Sequence, residues 1–145
     1  NAEYLNAKLR DVTGVAPLRE DPRETERAYF NFAFRYSREA FDDVPVSRFR
    51  DALAAELHID VQPCYEPLTI CPLYRPHTKK RYHYSEEYWN AIDPKRYRLP
   101  VSERIYNEES VNFHHTLLMG ERADMDQVIE AIEKIRHNLS SLKEG

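Results

Sequence analysis

Three groups of side chains in this sequence have the types from which chemistry is made. They are two cysteines, Cys64 and Cys71; two adjacent histidines, His114 and His115; and a basic run, Arg75-Pro-His-Thr-Lys-Lys-Arg81. Around the run lie Tyr65, Tyr74, Tyr82, Tyr84, Tyr88 and Trp89. The cysteine spacing is not CxxC and no second pair exists, so a zinc site is not expected and two free thiols of a cytosolic protein are. A Cys–His dyad built on Cys64 with His58, His77 or His114 would need its thiolate stabilised. Nothing in the sequence demands that, and an inert buried strand cysteine is the simpler reading. Neighbouring strand residues point to opposite faces, so His114 and His115 are not expected to share a metal ion. At least one of them is expected to be packed or hydrogen-bonded. His77 and His83 sit in a long loop with few carboxylates nearby, and no metal site is predicted. With three glycines in the chain, a glycine-rich phosphate cradle is not available. The basic run is either a solvated loop or a patch facing an anionic cofactor or a partner subunit, since Tyr, Trp and Arg favour interface cores.

These residues need elements to position them. The run Val61-Gln-Pro-Cys-Tyr-Glu-Pro-Leu-Thr-Ile-Cys-Pro-Leu-Tyr74 begins as a strand and is broken by Pro63, Pro67 and Pro72. Each proline removes a ladder donor, so the run reads as a strand that passes into a rigid loop able to present side chains to a ligand. Upstream, Tyr4, Leu5, Leu9 and Val12 outline a first helix that Asn1 could cap and Gly14 ends. Residues 27–36 read as an aromatic strand whose alternation places Phe30, Phe32 and Phe34 on one face. Ser47 reads as the N-cap of a helix running to His58, with Phe49, Leu53 and Leu57 as its buried stripe. A second strand covers 59–65, and 66–84 is irregular. Short helices are expected at 85–91 and 102–109, and a third strand at 110–118. A last helix opens on Asp124 with Gln127 in a capping-box position. Its apolar face is Val128, Ile132, Ile135 and Leu139, with His137 favourably placed in the final turn.

This order predicts an α/β (α+β) domain spanning 1–145: a small, largely antiparallel three-stranded sheet with helices on one face. Net charge is −4 with acids and bases interleaved, which argues against a nucleic-acid partner. No apolar run approaches the ~20 residues of a membrane span; a cytoplasmic location is the expectation. The chain starts within a helical pattern and without Met, which suggests trimming or a piece of something longer. On the second reading, the sheet face away from the helices should carry an apolar patch.

Several segments, in order, resemble the C-terminal part of the DegT/DnrJ/EryC1/StrS aminotransferases. They are the opening helix, the strand ending Phe34-Arg35-Tyr36 and the helix Ser47-Arg-Phe-Arg-Asp-Ala-Leu53. Next come Ile59-Asp-Val-Gln-Pro-Cys-Tyr-Glu-Pro-Leu68 with Cys71-Pro-Leu-Tyr74, which look like the family's Y-x-P-L-x-x-x-P segment, and Leu99-Pro-Val-Ser-Glu-Arg104. Phe113-His-His-Thr-Leu-Leu118 and Asp124-Met-Asp-Gln-Val128 complete the match. The long loop with Trp89 looks most like members that transaminate inosose-type cyclitols. The resemblance implies the small domain of a pyridoxal-phosphate (PLP) enzyme acting on keto-sugars or keto-cyclitols. Its Schiff-base lysine, its acid for the pyridinium nitrogen and most of its phosphate ligands would lie in a large domain of the same polypeptide, and the full-length form would be a homodimer. No catalytic, cofactor-binding or metal residue is then expected here, and the chain alone should be inactive. Tyr65 is the leading candidate for a substrate contact, with packing as the alternative. Glu66 and His114 are further candidates, and Arg35 could bind the amino donor's carboxylate or form a surface ion pair. The alternative to a domain of this enzyme is a stand-alone α/β interaction or ligand-binding module.

Overall fold

The computed structural model describes residues 1–78 and 81–143; Lys79 and Lys80 of the basic run lie outside them. Three helices carry apolar side chains at three- and four-residue spacing, and all three press that stripe against one face of a sheet. Helix α1 (Ala2–Asp11) buries Leu5 and Leu9, α2 (Val46–Leu57) buries Phe49 and Leu53, and α5 (Arg122–His137) buries Met125, Val128, Ile132 and Ile135. Shorter helices are α3 (Glu86–Ala91), α4 (Pro100–Arg104), which runs into one π-helical turn over Ile105–Glu109, and α6 (Leu139–Lys143).

The sheet is antiparallel and has four strands, β1 (Val15–Pro17), β2 (Asn31–Tyr36), β3 (Val61–Gln62) and β4 (Ser110–His114), in the order β1-β2-β4-β3. The three-strand expectation is therefore corrected. Strand β1 is too short for its alternation to register, and it ends on a proline that only an edge position tolerates. Other boundaries also move. Strand β2 starts at Asn31, which leaves Phe30 outside the core at 66% exposed, and the buried face is Phe32, Phe34 and Tyr36. Pro63 cuts β3 to two residues. Strand β4 stops at His114, where His115–Met119 turn into a 3-10 helix.

The caps differ as well. Pro45, not Ser47, precedes α2. Glu121, not Asp124, caps α5. The Glu121 side chain accepts from the N3 backbone, and Asp124 at N3 accepts from the Glu121 N–H at 2.7 Å. Asn1 makes no side-chain cap to α1; its amide donates to the carbonyls of Leu118 and Gly120.

The core is aromatic where β2 meets α2. Tyr36 lies 4.7 Å from Phe41 and 4.8 Å from Phe49, and Phe34 meets Phe49 edge-on at 6.5 Å. On the same face Phe32 stacks on its cross-strand partner Phe113 at 5.2 Å. The Tyr36 hydroxyl donates to the Val44 carbonyl at 2.7 Å, and burial holds its pKa well above the ordinary phenol range.

The other face of the sheet is polar: Asn31 and Arg35 flank Ala33 on β2, with Gln62 on β3 and Ser110, Asn112 and His114 on β4. The expected apolar patch is not on it. Exposed apolar side chains gather instead on the excursion between β3 and β4, where Leu73 is 93% exposed and no described residue from 68 to 109 is buried.

Two substitutions test this architecture by chemical denaturation. Phe49→Ala removes the ring shared by Phe34, Tyr36 and Phe41 and should cost about 3–5 kcal/mol. Gly14 holds φ +90° and an added Cβ would sit 2.6 Å from the buried Phe41 ring. Gly14→Ala should therefore lower stability by roughly 1–3 kcal/mol.

Candidate functional site

On the polar face β2 begins where β4 ends, and β3, antiparallel to β4, starts beside them and breaks at Pro63 into the proline loop toward the start of β4. The three edges enclose a cavity of about 520 Å³. Tyr65, Glu66 and His114 all line it, although the chain separates the first two from the third by almost fifty positions. The volume lies within the range of small-molecule pockets.

Each of the three is placed by a different device. Tyr65 follows Pro63 and Cys64, whose N–H donates to the Ser110 hydroxyl at 2.9 Å and ties the loop to the start of β4. Tyr65 itself stands at the rim, 83% exposed, and the described residues do not pack it. Glu66 accepts a hydrogen bond from the Tyr106 hydroxyl at 3.1 Å. That bond, followed by burial, raises the Tyr106 pKa above the ordinary phenol value. His114 is the last residue of β4; its Nδ1 lies 3.2 Å from the Thr116 hydroxyl, and Phe30 meets its ring edge-on at 5.5 Å.

The histidine pair does not splay to opposite faces as expected. Because the strand ends at His114, the His115 ring lies 4.2 Å from it, and His115 Nδ1 approaches the Phe30 carbonyl at 3.1 Å. Both are held by neighbours, yet among the described residues no group of three or more His, Cys, Asp or Glu could hold a metal ion. Cys64 and Cys71 are free thiols, both partly buried. No hydrogen bond joins the Cys64 thiol to His58 or His114.

Arg35 is not brought to the cavity. It lies further along β2, where its Nε contacts Glu109 at 3.1 Å while Arg104 contacts the other Glu109 oxygen at 2.7 Å. The surface ion pair is what forms.

Sequence reasoning missed five polar lining residues: Asn31, Asp60, Gln62, Tyr106 and Asn112. A signal was present for one of them, since strand alternation puts Asn112 on the same face as His114. Asn31 and Gln62 join them only through pairing, Asn31 opposite His114 and Gln62 opposite Asn112. Among the described residues, neither lysine nor arginine lines the cavity. No described helix is long and apolar enough to cross a membrane.

The Tyr106–Glu66 bond can be checked by titration. Its contribution to stability is fully present below the unfolded phenol value of about 10 and is lost as pH rises through the raised folded value. Glu66→Gln should bring the Tyr106 titration down toward the ordinary range. The tyrosinate absorbance difference against Tyr106→Phe reports it, and an unchanged titration would mean the bond is not formed.

Comparison with known proteins places these features. No family model matches the chain. The L-glutamine:2-deoxy-scyllo-inosose aminotransferase of Streptoalloteichus tenebrarius is 37% identical over 139 residues, 95% of this chain and 32% of the relative. The L-glutamine:scyllo-inosose aminotransferase of Streptomyces griseus is 32% identical over 138 residues, 95% of this chain and 32% of the relative. The chain thus spans about a third of the length of the curated relatives it matches. Among solved structures, 3-amino-5-hydroxybenzoic acid synthase superposes with a TM-score of 0.61 at 19% identity, covering 92% of this chain and 32% of that one, and so shares its fold. The chain is thus similar to the C-terminal part of these inosose aminotransferases.

Proposed function

We propose that this chain is the C-terminal domain of a PLP-dependent aminotransferase acting on a keto-cyclitol, and that its cavity forms the wall facing the amino acceptor. The observation that carries this reading is the convergence of Tyr65, Glu66 and His114, from two distant stretches, on one polar cavity. PLP supplies the electron sink for moving an amine. The cavity residues do not fit that group, because none of the described ones is a lysine for an imine or a lysine or arginine for the phosphate. The cofactor, its lysine and the large domain that holds them are therefore assigned to the rest of the polypeptide, and the chain alone to no turnover.

In this arrangement the domain binds and orients. Tyr65 at the rim meets the substrate ring, Glu66 is held in place by Tyr106, and His114 closes the far side against Phe30. The excursion with exposed Leu73 is the surface assigned to contact with the large domain. A homodimeric, cytoplasmic full-length enzyme is the accompanying proposal.

The test is the full-length polypeptide loaded with PLP, given glutamine and a keto-inosose. Amine transfer is expected there, and none from the 145-residue chain. Because Tyr65 is largely exposed, Tyr65→Ala should leave stability within about 0.5 kcal/mol. It should raise the acceptor KM roughly tenfold, a loss of about 1.4 kcal/mol. An unchanged acceptor KM would remove Tyr65 from the site.

A further inference from the structure

Asn112 has a carboxamide oxygen that no described residue partners. Its Oδ1 is buried and accepts no hydrogen bond from any described residue. The surroundings explain why. Its two cross-strand neighbours on the polar face are Ala33, whose methyl carries no polar group, and Gln62, whose amide donates to the Asp60 carboxylate. Along β4 on the same face, the Ser110 hydroxyl accepts from the Cys64 N–H, and His114 Nδ1 contacts Thr116. Each polar neighbour is engaged and Asn112 is passed over. A buried acceptor without a donor carries a desolvation penalty that the fold does not return, and Asn112 is one of the residues that line the cavity.

The chemistry of the cavity limits what the missing donor can be. Asp60 and Glu66 line it with neither Lys nor Arg among the described residues, which disfavours a phosphorylated or carboxylated ligand and favours a donor of hydrogen bonds. A carboxamide offers an acceptor and a donor side by side, the complement of two hydroxyls on adjacent ring carbons, one donating and one accepting. We infer that Asn112 is a specificity-determining residue of the acceptor site, reading a vicinal diol on a neutral polyhydroxylated ring. This rests on the aminotransferase reading above and adds to it the group that tells a polyol ketone from a plain one.

The experiment uses the full-length, PLP-loaded polypeptide. Binding of scyllo-inositol, an unreactive polyol, is measured by calorimetry for the wild type, Asn112→Ala and Asn112→Leu. Amine transfer from glutamine is measured in parallel to scyllo-inosose and to cyclohexanone. The variants should bind scyllo-inositol about 10- to 100-fold more weakly. The preference for scyllo-inosose over cyclohexanone should shrink by a similar factor through the acceptor KM, with the glutamine half-reaction unchanged. The Leu variant of the 145-residue chain should be as stable as the wild type or more so, because the orphaned acceptor is gone. Unchanged polyol binding, or binding lost together with chain stability, would overturn the inference and make Asn112 a bystander or a structural residue. Should the wild type transfer no amine to either ketone, the aminotransferase reading falls. If it does transfer amine but treats the two ketones alike, only the role of Asn112 falls.

Discussion

The pairing of β2 with β4 is the constraint on which the rest of the molecule depends. Its register sets Phe32 opposite Phe113 and Phe34 opposite Val111 on the helix side. The same register sets Asn31 opposite His114 and Ala33 opposite Asn112 on the other. Side chains alternate with a period of two, so the core and the cavity wall are two sides of one arrangement. A slip by one residue would turn Asn112 and His114 into the helices and the phenylalanines out to solvent. Burying three aromatic side chains of β2 is therefore what locates the polar groups of the site. Most of those groups need no device of their own beyond the strand they sit on.

The proline loop completes the cavity by a different principle. It does not belong to the core, since Pro67 is its one buried residue beyond Val61 and before residue 68. It is attached instead by single polar contacts, Cys64 to Ser110 and Glu66 to Tyr106. Arg50 adds a third tie nearby, reaching from α2 to the Ser110 carbonyl at 3.0 Å, with its pKa lowered by the burial this requires. The site thus joins a rigid floor, held by apolar packing, to a rim held by a few hydrogen bonds.

Much of this was legible in the sequence. The stripes of α1, α2 and α5 and the aromatic alternation of β2 identified the layers and the helix-covered face. The ordered series of segments from Asn1 to Val128 pointed to the aminotransferase relatives. The boundaries were less legible, for physical reasons. Strand β1 carries only Val15, Ala16 and Pro17, too few for a period to show. Glu121 is a weaker N-cap type than the Asp124 that follows it, and only the reciprocal bonds reveal its role. For the site, the candidates Tyr65, Glu66 and His114 line one cavity, whereas Arg35 is drawn off by Glu109. Asn31 and Gln62 were invisible because what brings them to the cavity is register, a relation between strands distant in the chain. Tyr106 lies on a π-helical turn with no periodic pattern to announce it.

One feature of the excursion reaches beyond its exposure. Between residues 61 and 109 there are six prolines, Pro63, Pro67, Pro72, Pro76, Pro94 and Pro100, and no glycine. Proline narrows the conformations open to a chain before it folds, and glycine widens them. A surface built this way has surrendered much of its freedom through its covalent structure rather than through burial. On the docking proposed above, less conformational entropy would be lost and more of the contact energy left to hold the excursion against the large domain.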